Sequence, residues 1–282
     1  MNEPVCYLNG EFLPLGQAKI SVLDRGFIFG DAIYEVIPVY KRKPLRLAAH
    51  LARLNRSLAE IRIAAPLDDG EWTGLINELI GYQASEDQAI YLQVSRGVAK
   101  RDFGLLQGIE PTVFAVSNPF SPPPKQQIEN GIAAVSLADF RWLRCDIKST
   151  SLLGANMLRQ FANDAGGAEC VLFREGHLTE GSSSNIFVVK QGVLITPPKS
   201  RMILPGITYD LLLELANANA VPTQVRDVLE AEVKTADEIM ISASLRELVA
   251  ITQLDGKPVG SGVPGPVFGR LYELFSAYKA NL

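Results

Sequence analysis

Residues 117–124 are Ser-Asn-Pro-Phe-Ser-Pro-Pro-Pro, and this stretch divides the chain into two parts. Consecutive prolines neither continue a helix nor donate to a β-ladder, so the stretch predicts an extended connection. With 282 residues, the chain is longer than one hydrophobic core usually organises. We therefore predict an N-terminal α/β domain over residues 1–117, an interdomain linker over 118–128 and a C-terminal domain over 129–282.

The part before the linker mixes strand-like and helix-like segments. Val5–Leu8 and Glu11–Leu13 flank Asn9-Gly10, the residue pair that two-residue hairpin turns prefer. A glycine-rich bend is predicted at 25–31. The spacing of apolar residues further predicts strands over 32–40, 89–96 and 112–117, and helices over 50–61 and 72–82.

The part after the linker has no regular βαβ alternation, which favours an α+β fold over a doubly wound parallel sheet. The same criteria predict strands over 132–135, 169–173, 185–190, 193–196 and 238–242, and helices over 151–165, 207–218 and 268–279.

The composition is that of an ordinary soluble globular protein, with 47% apolar and 21% charged residues. A net charge of −4 argues against nucleic acid or an anionic membrane as the main partner. No apolar run is long enough to cross a bilayer, and no signal peptide is expected. Cys6, Cys145 and Cys170 have no metal-like spacing, which favours reduced thiols in a cytoplasmic protein. We predict no metal site.

Two short segments carry the residue types needed for covalent chemistry on a carbonyl compound. Lys148 lies in Asp146-Ile147-Lys148-Ser149, just before a predicted helix. A lysine that enters a cleft there loses solvent, which lowers its pKa and frees the amine. Glu180 lies in Thr179–Asn185, where serines and backbone amides could wrap an anion. Taken singly, an exposed surface lysine and a glutamate in a polar turn are the more common explanations of these two residues.

Leu204-Pro205-Gly206-Ile207-Thr208 precedes the predicted helix over 207–218. Backbone N–H groups at a helix start, together with a threonine hydroxyl, form a phosphate site. An ordinary proline–glycine helix entry is the alternative. Ser242-Ala243-Ser244 follows a predicted strand and either adds a hydroxyl or only ends the strand.

Together and in this order, these motifs resemble the fold-type IV pyridoxal-phosphate enzymes, and most closely the D-amino acid aminotransferases among them. The family also contains the branched-chain aminotransferases and aminodeoxychorismate lyase. The resemblance covers nearly the whole chain, and it implies two α/β domains with pyridoxal 5′-phosphate at the domain interface. It also implies a C-terminal cofactor-binding domain and a cytoplasmic homodimer. It is carried by 29–35, 50–53, 93–97, 146–149, 179–185 and 204–208.

The resemblance implies a role for each matching residue. Lys148 would form a Schiff base with the cofactor and later move the substrate Cα proton, while Glu180 would pair with the pyridine nitrogen. Arg53 would bind the phosphate, and Leu204 would lie against the ring. The full cofactor-binding set is Lys148, Glu180, Arg53, Ser184, Asn185, Leu204, Gly206, Ile207, Thr208 and Ser244. The substrate-binding set is Tyr34, Arg101, Phe103 and Ser183.

Phe103 departs from the family pattern. Typical D-amino acid aminotransferases have a histidine two residues after the arginine that corresponds to Arg101, within the site that binds the substrate carboxylate. A phenyl ring cannot donate that hydrogen bond. The carboxylate site is therefore either rebuilt around Arg101 or shifted to another donor such as Lys100.

The function that the resemblance implies is transamination between a D-amino acid, such as D-alanine or D-glutamate, and a 2-oxo acid. Pyruvate and 2-oxoglutarate are the expected acceptors, with ping-pong kinetics. The alternatives are a branched-chain L-amino acid aminotransferase, an (R)-amine transaminase and aminodeoxychorismate lyase. A non-catalytic module that binds pyridoxal phosphate or another phosphate ligand is the alternative from a different class.

Overall fold

The computed structural model describes residues 3–104 and 108–282, which form two compact units. The first unit runs to Ser121 and also contains Ile147–Leu152 and Leu282. The second unit consists of Pro122–Asp146 and Leu153–Asn281. The segment Ile147–Leu152 thus belongs to the first unit, although it lies within the C-terminal domain predicted over 129–282. The domain limits given above stay a prediction.

The first unit is built on a six-stranded sheet in which every neighbouring pair is antiparallel. The sheet order is β2-β1-β6-β5-β3-β4. The predicted hairpin is present, and its turn residues Asn9 and Gly10 both have positive φ, as a two-residue hairpin turn requires. The strands are β1 Val5–Leu8, β2 Glu11–Pro14, β3 Ala32–Tyr40, β4 Lys43–Pro44, β5 Gln88–Ser95 and β6 Thr112–Pro119.

Three α-helices complete the described part of the first unit: α1 Arg25–Phe29, α2 Leu47–Glu60 and α3 Asp69–Tyr82. A 3-10 turn covers Leu15–Gln17. The bend predicted at 25–31 is instead mostly α1. Asp24 caps its start by accepting from the Gly26 N–H at 2.8 Å, and Gly30 ends it with a φ of 65°.

The core of the first unit lies between the sheet and α2 and α3. Trp72 and Leu54 have no solvent exposure, and Ile147 joins the same core from the returning segment. Two backbone bonds hold that segment beside β3. The Tyr34 N–H donates to the Lys148 carbonyl at 3.0 Å, and the Thr150 N–H donates to the Ala32 carbonyl at 3.0 Å. The backbone of Lys148 is therefore positioned by hydrogen bonds to β3, which is distant in sequence.

The second unit contains a larger, mixed sheet with the order β12-β11-β10-β13-β14-β7-β8-β9, and β15 pairs with β14. The β7–β8, β7–β14 and β11–β12 pairs are parallel. The strands are β7 Ile132–Ala138, β8 Glu169–Arg174, β9 His177–Leu178, β10 Asn185–Lys190, β11 Val193–Thr196, β12 Thr223–Val225, β13 Glu238–Ala243, β14 Glu247–Leu254 and β15 Lys257–Pro258.

Five helices belong to the second unit: α4 Lys125–Asn130, α5 Leu153–Asp164, α6 Ile207–Ala218, α7 Glu230–Lys234 and α8 Pro266–Ala280. Helix α4 begins directly after Pro124, so part of the predicted linker is helical rather than extended. Buried Glu238 accepts from the N–H groups of Val267 and Phe268 at 3.0 and 2.8 Å, which stabilises the start of α8. None of the helices in the described residues is long and apolar enough to cross a membrane.

Gly97 offers a stability test of the backbone after β5. Its φ is 101°, and an added Cβ would overlap the Glu110 carbonyl. We expect Gly97→Ala to lower the free energy of unfolding by about 2 kcal/mol or more. Gly74→Ala in α3 is the matched control, since its Cβ meets nothing within 4 Å. The control should instead raise stability by about 0.5–1 kcal/mol in urea denaturation. Equal midpoints for the two variants would contradict this account of Gly97.

Candidate functional site

The predicted site residues are distributed over both units. The first unit contains Tyr34, Arg53, Arg101, Phe103 and Lys148. The second unit contains Glu180, Ser183, Ser184, Asn185, Leu204, Gly206, Ile207, Thr208 and Ser244.

Lys148 lies against an aromatic ring of the first unit. Its side chain is half-buried, and Nζ is 4.1 Å from the centroid of the Tyr34 ring. Tyr34 stacks in turn on Tyr91, with centroids 5.8 Å apart. Burial, with a smaller contribution from Tyr34, raises the pKa of Tyr91 to about 12, so its phenol stays neutral at physiological pH. The Tyr91 hydroxyl donates a hydrogen bond to the side-chain carbonyl of Gln93 at 2.7 Å. The lysine amine thus lies against a Tyr34 ring that is itself held by stacking on Tyr91.

Arg53 pairs with a buried carboxylate on β3. Its Nε and one terminal nitrogen donate to the two oxygens of Glu35, each at 2.7 Å, and His50 Nδ1 lies 2.8 Å from the same carboxylate. All three side chains are at most 3% exposed. A bidentate arginine–carboxylate pair fixes the guanidinium plane, so Arg53 has one defined orientation.

The charge states of this triad follow from burial and pairing. Burial alone would raise the pKa of Glu35, but Arg53 and His50 outweigh it and hold the pKa below its usual value. Burial lowers the pKa of His50, so the imidazole is neutral and donates from Nδ1 to the ionised Glu35. Sequence reasoning assigned no role to Glu35 or His50. The available signal was a glutamate inside an otherwise apolar strand, since a carboxylate there requires a partner.

Glu180 is the central carboxylate of the second unit. It is 4% exposed and accepts from Arg141 at 2.7 Å and from the Leu204 N–H at 2.9 Å. The amide of Asn185 donates to Glu180 at 3.2 Å and to the Leu204 carbonyl at 2.9 Å. Asp139 accepts from Arg141 and from the Thr179 hydroxyl, each at 2.9 Å, and so orients both Arg141 and the residue that precedes Glu180.

Burial raises the pKa of Glu180 to about 7, although Arg141 acts in the opposite direction. Arg141 alone therefore does not offset the cost of burying the ionised Glu180 carboxylate. A protonated ring nitrogen would supply that charge and hold Glu180 ionised. The donor set around Glu180 therefore fits the pyridinium end of pyridoxal phosphate.

The start of α6 fits a phosphate group. Gly206 is the N-cap, no side chain caps the helix, and the first N–H groups of a helix have no partner within it. Ile207 and Thr208 supply the first amides and a hydroxyl. Because the Leu204 N–H donates to Glu180, a short segment connects this helix start to the Glu180 carboxylate. In the neighbouring β13, the buried hydroxyl of Ser242 has no hydrogen-bond partner among the described residues.

Glu169, at the start of β8, organises the loops around this site. Its carboxylate has no solvent exposure and accepts from six N–H and O–H donors. Two come from Ser182, whose N–H and hydroxyl lie at 3.0 and 2.6 Å, and a third is the Ser184 hydroxyl at 2.9 Å. The others are the Cys170 N–H and the guanidinium groups of Arg159 and Arg246.

Arg159 and Arg246 connect further predicted residues to Glu169. Arg159 also donates to the Ser183 hydroxyl at 3.1 Å. Arg246 lies in the turn between β13 and β14 that contains Ser244. Sequence reasoning missed Glu169, Arg159, Arg246 and Arg141. Only Glu169 carried a local signal, because a glutamate begins a strand that is otherwise apolar.

A family model described as Amino-transferase class IV matches residues 32–254, which is more than half of the chain. The chain belongs to this family of fold-type IV aminotransferases. A D-alanine aminotransferase from Bacillus licheniformis is 39% identical over 259 residues, covering 92% of this chain and 91% of the relative. A D-alanine aminotransferase from Staphylococcus aureus strain COL is 37% identical over 273 residues and 96% of both chains.

Solved structures with the same fold include branched-chain aminotransferases. The T.th. enzyme with pyridoxamine 5′-phosphate has a TM-score of 0.93 at 24% identity, covering 100% of this chain and 95% of that chain. The enzyme from Thermoproteus uzoniensis with norvaline has a TM-score of 0.90 at 25% identity, covering 99% and 96%. These folds and the family confirm the predicted fold class, and the family confirms the aminotransferase class and pyridoxal phosphate as the cofactor.

Arg141 provides a pH test of the Glu180 environment. The pKa of Glu180 in the folded protein, about 7, lies above its ordinary value of 4.5, so ionised Glu180 weakens the fold as pH rises between these values. Arg141 limits that weakening. We expect Arg141→Met to lower the free energy of unfolding by about 3 kcal/mol at pH 8 and by less at pH 5.

The measurement is urea denaturation at both pH values without added cofactor. Arg226→Met is the control, because Arg226 pairs with Glu232 near the surface. Its effect should stay below about 1 kcal/mol and change little with pH. A loss for Arg141→Met that is equal at pH 5 and pH 8 would contradict the proposed coupling to Glu180.

Proposed function

We propose that this protein transfers an amino group between a D-amino acid and a 2-oxo acid. The observation that carries the proposal is the similarity over more than nine-tenths of the chain to proteins named D-alanine aminotransferases. Lys148 and the buried Glu180 support it, since they supply the two protein groups that this chemistry requires.

Each end of the cofactor has a proposed partner. Lys148 would hold the aldehyde carbon, and Glu180 would hold the ring nitrogen, with Asn185 and Ser184 fixing the loop around it. Leu204 would lie against the ring. Arg53, oriented by Glu35, would bind the phosphate together with Gly206, Ile207, Thr208 and Ser244. When bound, pyridoxal phosphate accepts the negative charge that develops on the substrate Cα.

Lys148 carries the proton transfer in the proposed mechanism. Its Nζ would remove the proton from the substrate Cα as general base. As general acid, it would then donate the proton to C4′ of the cofactor. The Tyr34 ring lies beside the lysine and stacks on the neutral phenol of Tyr91. Ionised Glu180 would hold the ring nitrogen in its protonated form.

Tyr34, Arg101, Phe103 and Ser183 form the proposed substrate-binding set. The Ser183 hydroxyl is held by Arg159, and the Tyr34 ring is held by Tyr91. Arg101 supplies the positive charge that a substrate carboxylate needs.

We also propose that the protein is a cytoplasmic homodimer. Large apolar side chains are exposed in each unit. Phe27 in the first unit is 69% exposed, and Leu143 and Leu153 in the second unit are 61% and 74% exposed. Burial in a second copy would remove these surfaces from water.

Lys148→Ala tests the mechanism. We expect the transamination rate to fall at least about 10²-fold, because the proton-transfer group is lost. Borohydride treatment of the wild-type protein loaded with pyridoxal phosphate should label Lys148, identified by peptide mass spectrometry. Lys257→Ala, in exposed β15, is the control and should keep its activity. A Lys148→Ala protein with the wild-type rate would refute the assignment.

The substrate class is tested with a panel of D- and L-amino acids against pyruvate and 2-oxoglutarate. We expect turnover of D-alanine and D-glutamate, with little turnover of L-leucine or L-valine. Preference for the L-enantiomers would support a branched-chain aminotransferase instead. Pyruvate release from aminodeoxychorismate without an amino acceptor would indicate the lyase, and turnover of amines without a carboxylate would indicate an (R)-amine transaminase. Cofactor binding with no turnover would indicate a binding module.

A further inference from the structure

Arg101 lies in a notch formed by two phenyl rings of the first unit. Its guanidinium carbon is 5.5 Å from the centroid of Phe29 and 5.4 Å from that of Phe103. The two ring centroids are 5.7 Å apart, so the three groups form a nearly equilateral triangle. A guanidinium at this distance from a ring face is attracted by the ring quadrupole.

The notch rests on a fixed part of the backbone. Arg25 is 4% exposed, donates to Asp31 at 2.8 Å and to the Asp102 carbonyl at 2.6 Å, and lies 4.8 Å from the Phe29 centroid. Asp102 is the residue between Arg101 and Phe103. Helix α1 therefore holds the backbone of the segment from which both side chains project.

The arginines of this region differ in their partners. Arg25 and Arg96 both donate to the Asp31 carboxylate. Arg101 is exposed, and no carboxylate in residues 3–104 or 108–282 pairs with it. A cation–π contact is not a hydrogen bond to an acceptor, so the guanidinium N–H groups stay able to donate to an anion. The notch thus orders Arg101 without occupying its donors.

We propose that Phe29 and Phe103 position Arg101 for the substrate carboxylate, and that the Phe103 ring replaces a hydrogen-bond donor by holding the arginine. The proposal rests on the proposed function, in which Arg101 binds that carboxylate. It selects the first of the two alternatives left by the sequence, a carboxylate site rebuilt around Arg101 rather than shifted to Lys100. Phe103, which is 81% exposed, is then a positioning residue and has a role beyond filling space.

The test compares Phe103→Leu with Phe103→Tyr in the enzyme loaded with pyridoxal phosphate. Leucine keeps apolar bulk but has no ring face, whereas tyrosine keeps the face. We expect Phe103→Leu to raise KM for D-alanine and for 2-oxoglutarate by about twofold to fivefold, with kcat unchanged, and Phe103→Tyr to retain the wild-type KM within about twofold. The Kd of propanoate, a carboxylate that cannot react, should rise by the same factor in Phe103→Leu.

Arg101→Met and Lys100→Ala separate the two possible donors. Arg101→Met should raise KM by about tenfold or more, because a charge-assisted pair is lost, and Lys100→Ala should leave KM unchanged. Equal KM values and propanoate Kd values for Phe103→Leu and wild type would overturn the role of the notch, as would a change in Lys100→Ala but not in Arg101→Met. Absence of transamination by the wild-type enzyme would instead refute the proposed function.

Discussion

The buried carboxylate of Glu169 is the charge on which the candidate site of the second unit depends. A carboxylate without solvent contact is tolerated only when its oxygens are fully hydrogen-bonded and its charge is balanced. Two arginines and the Ser182–Ser184 turn meet that requirement. The loops that carry Ser183 and Ser244 therefore share one anchor. The serine-rich turn is bonded to Glu169 at Ser182 and Ser184, and Glu180 lies two residues before Ser182.

The first unit also contains a buried carboxylate, Glu35 on strand β3, where side chains alternate between the two faces of the sheet. Successive side chains point to opposite faces of a strand, so Glu35 and Tyr34 face different surroundings. Glu35 lies buried with Arg53 and His50 of α2, whereas Tyr34 contacts Lys148 and Tyr91. Two neighbouring residues thus orient the proposed phosphate-binding arginine and support the lysine. This arrangement explains why both functions can be carried by one short strand.

Local pattern was sufficient for much of the secondary structure. The bounds of β3, β10, β11 and α6 agree with prediction, since each has the apolar period of its element and clear turn residues at its ends. Helices α1, α4 and α7 and strand β14 were not predicted. The three helices are short and are defined by caps or by packing more than by periodicity. Strand β14 begins at buried Glu247, whose carboxylate pairs with Lys279 of α8 at 2.6 Å.

The motifs around Lys148, Glu180 and Leu204–Thr208 were enough to identify the family, the cofactor and the aminotransferase class. These chemical groups and their order can be read directly from the sequence. The partners of those groups were decided by tertiary structure. Arg141 beside Glu180, Glu35 beside Arg53 and Phe29 beside Arg101 come from segments that only folding brings together. Charge state and orientation depend on such neighbours and on burial, and neither is encoded in a run of adjacent residues.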